Sequence, residues 1–275
     1  LATTSTEARK LAALAAKSGR IFAVTHNYTG YPMVRHARQM VAAGQLGELR
    51  VVQVEYPQDW LAGPLEKTGQ KQAAWRTDPA RSGAGGCIGD IGTHAYQLAD
   101  YITGVGVTEL CAELSIFVKG RRLDDNAQVM LRYANGARGL LWASQVAPGN
   151  ENALRIRVYG SKGGLSWQQE HPNQLQWTPL GQPAQTITRG TPAANAAAAR
   201  ITRIPAGHPE GYLEGFATLY SEIAQAIRAA RPGARAKLDR AVHFPTVADG
   251  VKGVQFIEAV VASSKRGGRW VRLPR

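Results

Sequence analysis

The sequence predicts an α+β fold: a mostly antiparallel open sheet with helices on one face, preceded by the last helix–strand–helix part of a doubly wound α/β unit. Strand-like runs near 107–118, 126–134, 138–147, 154–160 and 164–168 are separated only by turn signals. Among these are Asn135-Gly136, a strong hairpin cue, and Gly160-Ser-Lys-Gly-Gly164, and strands joined by short turns pair antiparallel. Two helical stretches, about 209–230 and 246–264, suffice to cover one face. The opening of the chain has a different texture, helix then apolar run then helix, as at the end of a doubly wound unit.

In order along the chain, Thr4-Ser-Thr-Glu7 has the spacing of a capping box. Leu11, Leu14 and Ala15 continue an apolar face, and Gly19 ends the helix. Ile21-Phe-Ala-Val24 reads as a short buried strand. His26-Asn27-Tyr28 then sit at its carboxyl end, where open α/β sheets place ligands, or merely cap it. Pro32 opens a second helix to about Ala43, closed by Gly44. From Leu49 the β-rich Val51–Tyr56 leads into a polar loop with Gln58, Asp59, Trp60 and Pro64. The organisation read from this is a unit over 1–46 and a second over 47–275, whose last strand or helix packs back on the first. Residues 182–207, rich in Ala, Thr and Pro without periodicity, read as a long loop folding over the site.

A chain of 275 residues with 44% hydrophobic and 19% charged content is long enough to bury a full core and ordinary for a globular protein. No apolar run approaches bilayer-spanning length and no signal peptide is visible; the expected location is cytoplasmic, with no membrane partner. Cys87 and Cys111 lack metal-ligand spacing and read as reduced thiols. A net charge of +13 and a pI near 10.1 raise nucleic-acid binding. The arginines, however, are scattered rather than gathered with aromatics, and no helix-turn-helix, finger or RNP-like pattern occurs. No nucleic-acid partner is expected, and the charge better suits steering of anionic phosphates. The uncovered sheet face predicts a homo-oligomer.

The densest chemistry lies in Trp75–His94, where a glycine-rich approach leads to Asp90 and His94 at i, i+4 at the start of a helix running to about Thr103. That spacing puts a carboxylate and an imidazole on one face, able to hold a hydroxyl and take its proton, although most such pairs are surface pairs. Imidazole, with an ordinary pKa of about 6.5, is suited to general-base work near neutrality. Gly83-Ala-Gly85-Gly-Cys-Ile-Gly89 imitates a dinucleotide fingerprint but follows a loop rather than a strand, so it is rejected as one.

Gly89-Asp-Ile-Gly-Thr-His94 resembles the Asp-x-Gly-x-His signature of the Gfo/Idh/MocA family, the glucose–fructose oxidoreductase and inositol dehydrogenase group. Other stretches are similar in order and spacing: Leu1-Ala-Thr-Thr-Ser-Thr-Glu-Ala8, Phe22–Tyr28, Gly44-Gln-Leu-Gly-Glu-Leu49, Gln58-Asp-Trp60, Trp75-Arg76 and His208-Pro-Glu-Gly-Tyr212. The resemblance covers essentially the whole chain. It implies an NAD- or NADP-dependent oxidoreductase acting on a cyclic sugar, sugar derivative or polyol. It further implies His94 and Asp90 as catalytic, Tyr28, Asn27, Asp59, Trp60, Arg76 and His208 as substrate-binding, and His26 and Trp75 as cofactor-binding. No metal is implied. Family members precede a Leu-Ala-Thr-like stretch with a Gly-x-Gly-x-x-Gly region ending in Glu-Lys-Pro. The expectation is therefore that residues 1–46 are a remnant of a dinucleotide-binding domain, and that the chain by itself, without the fingerprint and the lysine, is inactive.

Read as residues alone, several of these positions keep a second meaning. Trp60 and Trp75 serve equally as sugar-stacking faces or as core, and Tyr212, Phe216 and Tyr220 at helical spacing read as packing. Two other functions stay open: a metal-dependent sugar isomerase or hydrolase using His94, Asp90, His208 and Glu210, and a non-catalytic sugar-binding or dimerisation module.

Overall fold

The computed structural model describes residues 1–231 and 237–274. Helix α1 (Ser5–Ser18) starts where predicted. The Thr4 hydroxyl accepts the Glu7 amide at 3.2 Å, and Gly19 closes the helix with φ +63°. The strand expected at 21–24 does not form. Ile21 and Phe22 are exposed, and Ala23 makes a single bridge to Thr246. An apolar tetrapeptide becomes a strand only where a neighbouring backbone pairs with it, and among the described residues none runs alongside. A 3-10 turn (Asn27–Gly30) leads to α2 (Pro32–Ala42), opened by Pro32 as expected.

β1 (Leu49–Pro57) then enters the sheet. A long excursion carries α3 (Lys71–Arg76), α4 (Pro79–Ser82), a π-helical turn (Ile88–Gly92) and α5 (Thr93–Thr103). β2 (Val107–Ser115), β3 (Asn126–Tyr133), β4 (Arg138–Ser144), β5 (Arg155–Gly160) and β6 (Gly163–Gln168) lie where the turn signals placed them. β7 (Gln174–Pro179) comes next. The stretch read as a loop over 182–207 in fact contains β8 (Gln185–Thr188) and α6 (Ala196–Ala199). β8 is an edge strand with no buried residue, so it pairs through backbone alone and leaves no hydrophobic alternation to read. Helices α7 (Tyr212–Ala229) and α8 (Val247–Lys265) and the short β9 (Val271–Arg272) complete the chain.

The nine strands form one sheet in the order β8-β7-β6-β5-β1-β4-β3-β2-β9. Only β1 and β4 pair in parallel. Alternate residues such as Val52, Val54, Val129, Leu131, Leu141, Ile156 and Val158 point into a core shared with Leu98 and Ile102 of α5 and Phe256 and Val260 of α8. The opposite face is open: Met130, Leu140 and Tyr159 are 46%, 50% and 42% exposed. No helix among the described residues is long and apolar enough to cross a membrane.

Three buried polar anchors position the loops at one end of this sheet. Arg35 on α2 makes a bidentate pair with Glu222 on α7 at 2.8 and 2.7 Å. It thereby holds α7 against the 3-10 turn, where a Cβ on Gly30 would sit 2.2 Å from the Gly215 carbonyl oxygen. Arg121 donates to the carbonyls of Leu61 and Gly63 at 3.0 and 3.1 Å, pinning the polar loop after β1. Asp124 accepts the Gly86 amide at 2.6 Å and the Ile88 amide at 2.8 Å, while the Cys87 thiol lies 3.1 Å from the same carboxylate.

Gly86 is fixed by this arrangement, because a Cβ there would meet the Asp124 carbonyl oxygen at 2.1 Å. Gly86→Ala is expected to lower unfolding free energy by about 1–3 kcal/mol through overpacking against backbone. Urea denaturation should show this as a lower midpoint at unchanged slope.

Candidate active site

The loops gathered at that end enclose a cavity of about 970 Å³, at the upper end of the range for small-molecule sites. Its wall is drawn from distant parts of the chain: His26, Asn27 and Tyr28, then Tyr56, Gln58 and Trp60 at and after the end of β1, Trp75 and Arg76 of α3, Asp90 and His94, Asn152, and Tyr212 and Phe216 of α7.

Asp90 and His94 do not stack on one α-helical turn as their spacing predicted. Asp90 lies in the π turn and His94 one residue into α5. The wider turn is accommodated by glycine: a Cβ on Gly92 would stand 2.5 Å from the Ile88 Cδ1. Asp90 accepts from Arg76 Nε at 2.9 Å and Gln145 Nε2 at 2.8 Å, both on Oδ2. Oδ1 carries neither bond. The carboxylate thus orients itself on Arg76 and Gln145 and not on the imidazole.

The partner of His94 is His26. Their Nδ1 atoms are 3.3 Å apart, with rings edge to face at 5.1 Å between centroids. Burial pulls the His26 pKa down from 6.5 to about 3, and the neighbouring His94 adds to the effect. Burial also lowers His94, against which the Asp90 charge acts to raise it. Two imidazoles in this contact cannot both be cationic, and both are neutral at pH 7. The Asn27 side-chain nitrogen, also in the wall, is buried without a hydrogen-bond partner. A donor left in this condition fits an acceptor oxygen on a bound molecule, such as a substrate oxygen or a carboxamide.

Of the residues singled out from sequence, the fold brings His94, Asp90, Tyr28, Asn27, Trp60, Arg76, His26 and Trp75 to this one cavity. Arg76 lies against both tryptophans, its Cζ 4.3 Å from the Trp75 ring centroid and 5.8 Å from that of Trp60. Asp59 and His208 are not in the wall. Asp59 accepts the Gly149 amide at 3.4 Å. His208 is exposed in the loop before α7 and offers its carbonyl to Arg189. Glu210 is spent on the Arg203 and Ile204 amides at 2.5 and 2.7 Å, so the set His94, Asp90, His208 and Glu210 does not converge. Among the described residues no group of three His, Cys, Asp or Glu side chains is placed to hold a metal ion.

Sequence reasoning missed Tyr56, Asn152, Gln145 and Tyr212. Tyr56 OH donates to Asn152 Oδ1 at 2.7 Å, and Tyr28 and Tyr56 hydroxyls are 2.5 Å apart. Tyr212, read as packing, is half exposed and lines the cavity. The only local signal for Tyr56 was its place at the end of a strand. Asn152 and Gln145, in or beside the β4–β5 connection, carried none.

An antiparallel sheet backed by helices, with a carboxylate on a π turn and a partly buried imidazole facing a polar cavity, is an architecture shared with solved structures of oxidoreductases. The GFO/IDH/MocA C-terminal domain family is matched over residues 34–166. The oxidoreductase YfiI of Bacillus subtilis is 35% identical over 98% of this chain and 68% of its own length. A crystal structure of an oxidoreductase from Sinorhizobium meliloti is similar at 49% identity and a TM-score of 0.87, over 98% of this chain and 70% of that one. An inositol dehydrogenase homolog from Azotobacter vinelandii, in complex with NADH and myo-inositol, matches at 37% identity and a TM-score of 0.91, over 99% and 69%. The chain belongs to the Gfo/Idh/MocA family of oxidoreductases.

The neutral histidines carry a pH signature. In the unfolded chain each takes up a proton as the pH falls through about 6.5, whereas the folded chain resists until about 3 at His26. Stability is therefore present in full above pH 6.5 and declines below it, by up to about 1.4 kcal/mol per pH unit for each histidine. Urea titrations between pH 7 and 5 are expected to show that decline, and His26→Asn to flatten it.

Proposed function

We propose that this cavity interconverts an alcohol and a carbonyl on a cyclic sugar, sugar derivative or polyol, with NAD or NADP as redox partner and His94 as general base. The observation that carries the reading is a neutral, partly buried imidazole facing the same polar cavity as a carboxylate with one oxygen unclaimed. The inositol dehydrogenase homolog bound to NADH and myo-inositol supports it by analogy.

A bound nicotinamide supplies the two-electron acceptor for the carbon being oxidised. The rest falls to the chain. If His94 Nδ1 donates its hydrogen to His26 Nδ1, His94 Nε2 is left with the lone pair that takes the hydroxyl proton. Asp90, locked by Arg76 and Gln145, offers Oδ1 to hold that hydroxyl without rotating away. Trp60 and Arg76 present a flat, partly apolar wall to a sugar ring, and Tyr28 supplies a polar edge. His26 and Trp75 stand on the side we assign to the nicotinamide, and Asn27 Nδ2 suits its carboxamide oxygen. Asp59 and His208, outside the wall, are left with no direct role. The cavity is large enough for a sugar ring with a second ring beside it.

His94→Ala is expected to lower kcat by about 10²–10⁴-fold in NAD(P)-dependent polyol oxidation, with KM changed much less. Asp90→Asn should cause a loss of similar order, and the two should not add, since both act on one hydroxyl. A double variant retaining near wild-type oxidation would refute the assignment.

We also propose that the open sheet face is covered by a second copy of the chain, because Met130, Leu140 and Tyr159 present an apolar stripe on strands otherwise ready to be buried. Light scattering is expected to give a homo-oligomer, and Leu140→Arg to dissociate it.

A further inference from the structure

A hydrogen-bond chain runs along the cavity wall. Trp60 Nε1 donates to Gln58 Oε1 at 3.0 Å, and Gln58 Nε2 donates to Asn152 Oδ1 at 2.7 Å. Tyr56 OH donates to that same oxygen at 2.7 Å, and the Tyr28 and Tyr56 hydroxyl oxygens are 2.5 Å apart. Amides turn end for end by exchanging oxygen and nitrogen, and hydroxyls rotate without moving a heavy atom, so three of these bonds are reversible in principle. The indole is not. It has a hydrogen to give and no lone pair to receive one.

That one irreversible member fixes all the others. Trp60 requires the Gln58 oxygen, which leaves the Gln58 NH₂ facing Asn152. Asn152 must then present its oxygen, and its own NH₂ points to Gln169 Oε1 at 3.4 Å. Facing an oxygen, Tyr56 spends its only hydrogen on Asn152. The contact between the two tyrosines is then supplied by the hydrogen of Tyr28. Burial raises the pKa of both phenols, so both hold their protons at neutral pH. Tyr28 is left with lone pairs and no hydrogen for the cavity, and its ring lies edge to face with His94 at 5.4 Å.

We infer that Trp60 polarises this chain so that Tyr28 meets the substrate only as an acceptor. The site therefore selects a donating hydroxyl at that position over its deoxy, O-methyl or keto counterpart. The selectivity rests on the polyol reading given above; the direction of the chain does not.

Neutron diffraction from deuterium-exchanged crystals reads the direction without any ligand. The deuteron of Tyr28 should point at Tyr56 and that of Tyr56 at Asn152; a Tyr28 deuteron directed into the cavity overturns the inference. Selectivity is read by calorimetry with myo-inositol and its monodeoxy and mono-O-methyl derivatives in the presence of NADH. At one ring position, loss or methylation of the hydroxyl should weaken binding by about 10–100-fold, as expected when a buried polar group loses its partner. Tyr28→Phe should reduce that difference to a few-fold. Gln58→Glu keeps an oxygen for Trp60 but offers a second one to Asn152, which must then turn its NH₂ toward both Gln58→Glu and Tyr56. The chain reverses, Tyr28 donates, and the penalty on the O-methyl compound should shrink to a few-fold, because an ether oxygen and a hydroxyl can both accept. Unchanged discrimination in Tyr28→Phe overturns the selectivity. Failure of every polyol to bind, with the deuterons as described, overturns the substrate class and the selectivity together, and is distinct from a reversed chain.

Discussion

Asp124 does no chemistry, yet the catalytic geometry proposed here is set by it. Its carboxylate takes the amides of Gly86 and Ile88 and lies against the Cys87 thiol. The Cys87 amide in turn reaches the Asp124 carbonyl at 2.8 Å. Four contacts at consecutive residues fix where the π turn begins. From there the turn decides how far round Asp90 lies from His94. Burial raises the Asp124 pKa, and the amide donors counter that by favouring the charged form. Gly86, Gly92 and Gly30 each stand where a side chain would collide with its surroundings. Glycine here serves close approach and not flexibility.

Around that anchor the electrostatics divide into two unlike halves. Asp90 is held by donors, Arg76 and Gln145, in a polar setting. His94, at the cavity wall, is in contact with a second neutral imidazole that is itself buried. The base we propose must be uncharged to accept a proton, and burial favours that form of His94. His26 is buried too deeply to become cationic at neutral pH, so in the mechanism we propose it would not repel the charge that His94 gains on taking a proton.

Much of this was legible in the sequence wherever the signal was local. The hairpins around Asn135-Gly136 and Gly160–Gly164 are written in turn chemistry, and Pro32, Thr4 and Gly19 mark helix ends by mechanisms that need no tertiary partner. Ile21–Val24 misled because a strand is a property of two segments, and only one was being read. β8 went unseen for the converse reason, having a partner but no apolar alternation. The spacing of Asp90 and His94 identified the pair, while the π turn between them depends on Asp124, thirty-four residues further on. Asn152 shows the limit of reading residues one at a time. A single amide in a connection between strands acquires meaning only when two distant side chains, Tyr56 and Gln58, arrive at its oxygen.

The one parallel pairing, β1 with β4, has a consequence for the order in which the chain assembles. β1 sits in the middle of the sheet, flanked by β4 and β5, and both partners lie more than eighty residues downstream of it. As the chain leaves the ribosome, β1 must wait with its apolar Val52 and Val54 unpaired while the whole excursion through α5 and the β2–β3 hairpin is made. α1 waits longer still, since the Ser5 amide finds its acceptor, Glu258 of α8, at 2.6 Å and 253 residues further along the chain. Contacts this remote in sequence make loop closure the slow step. The hairpin half of the sheet is therefore positioned to form first and to act as the template on which β1 is later threaded.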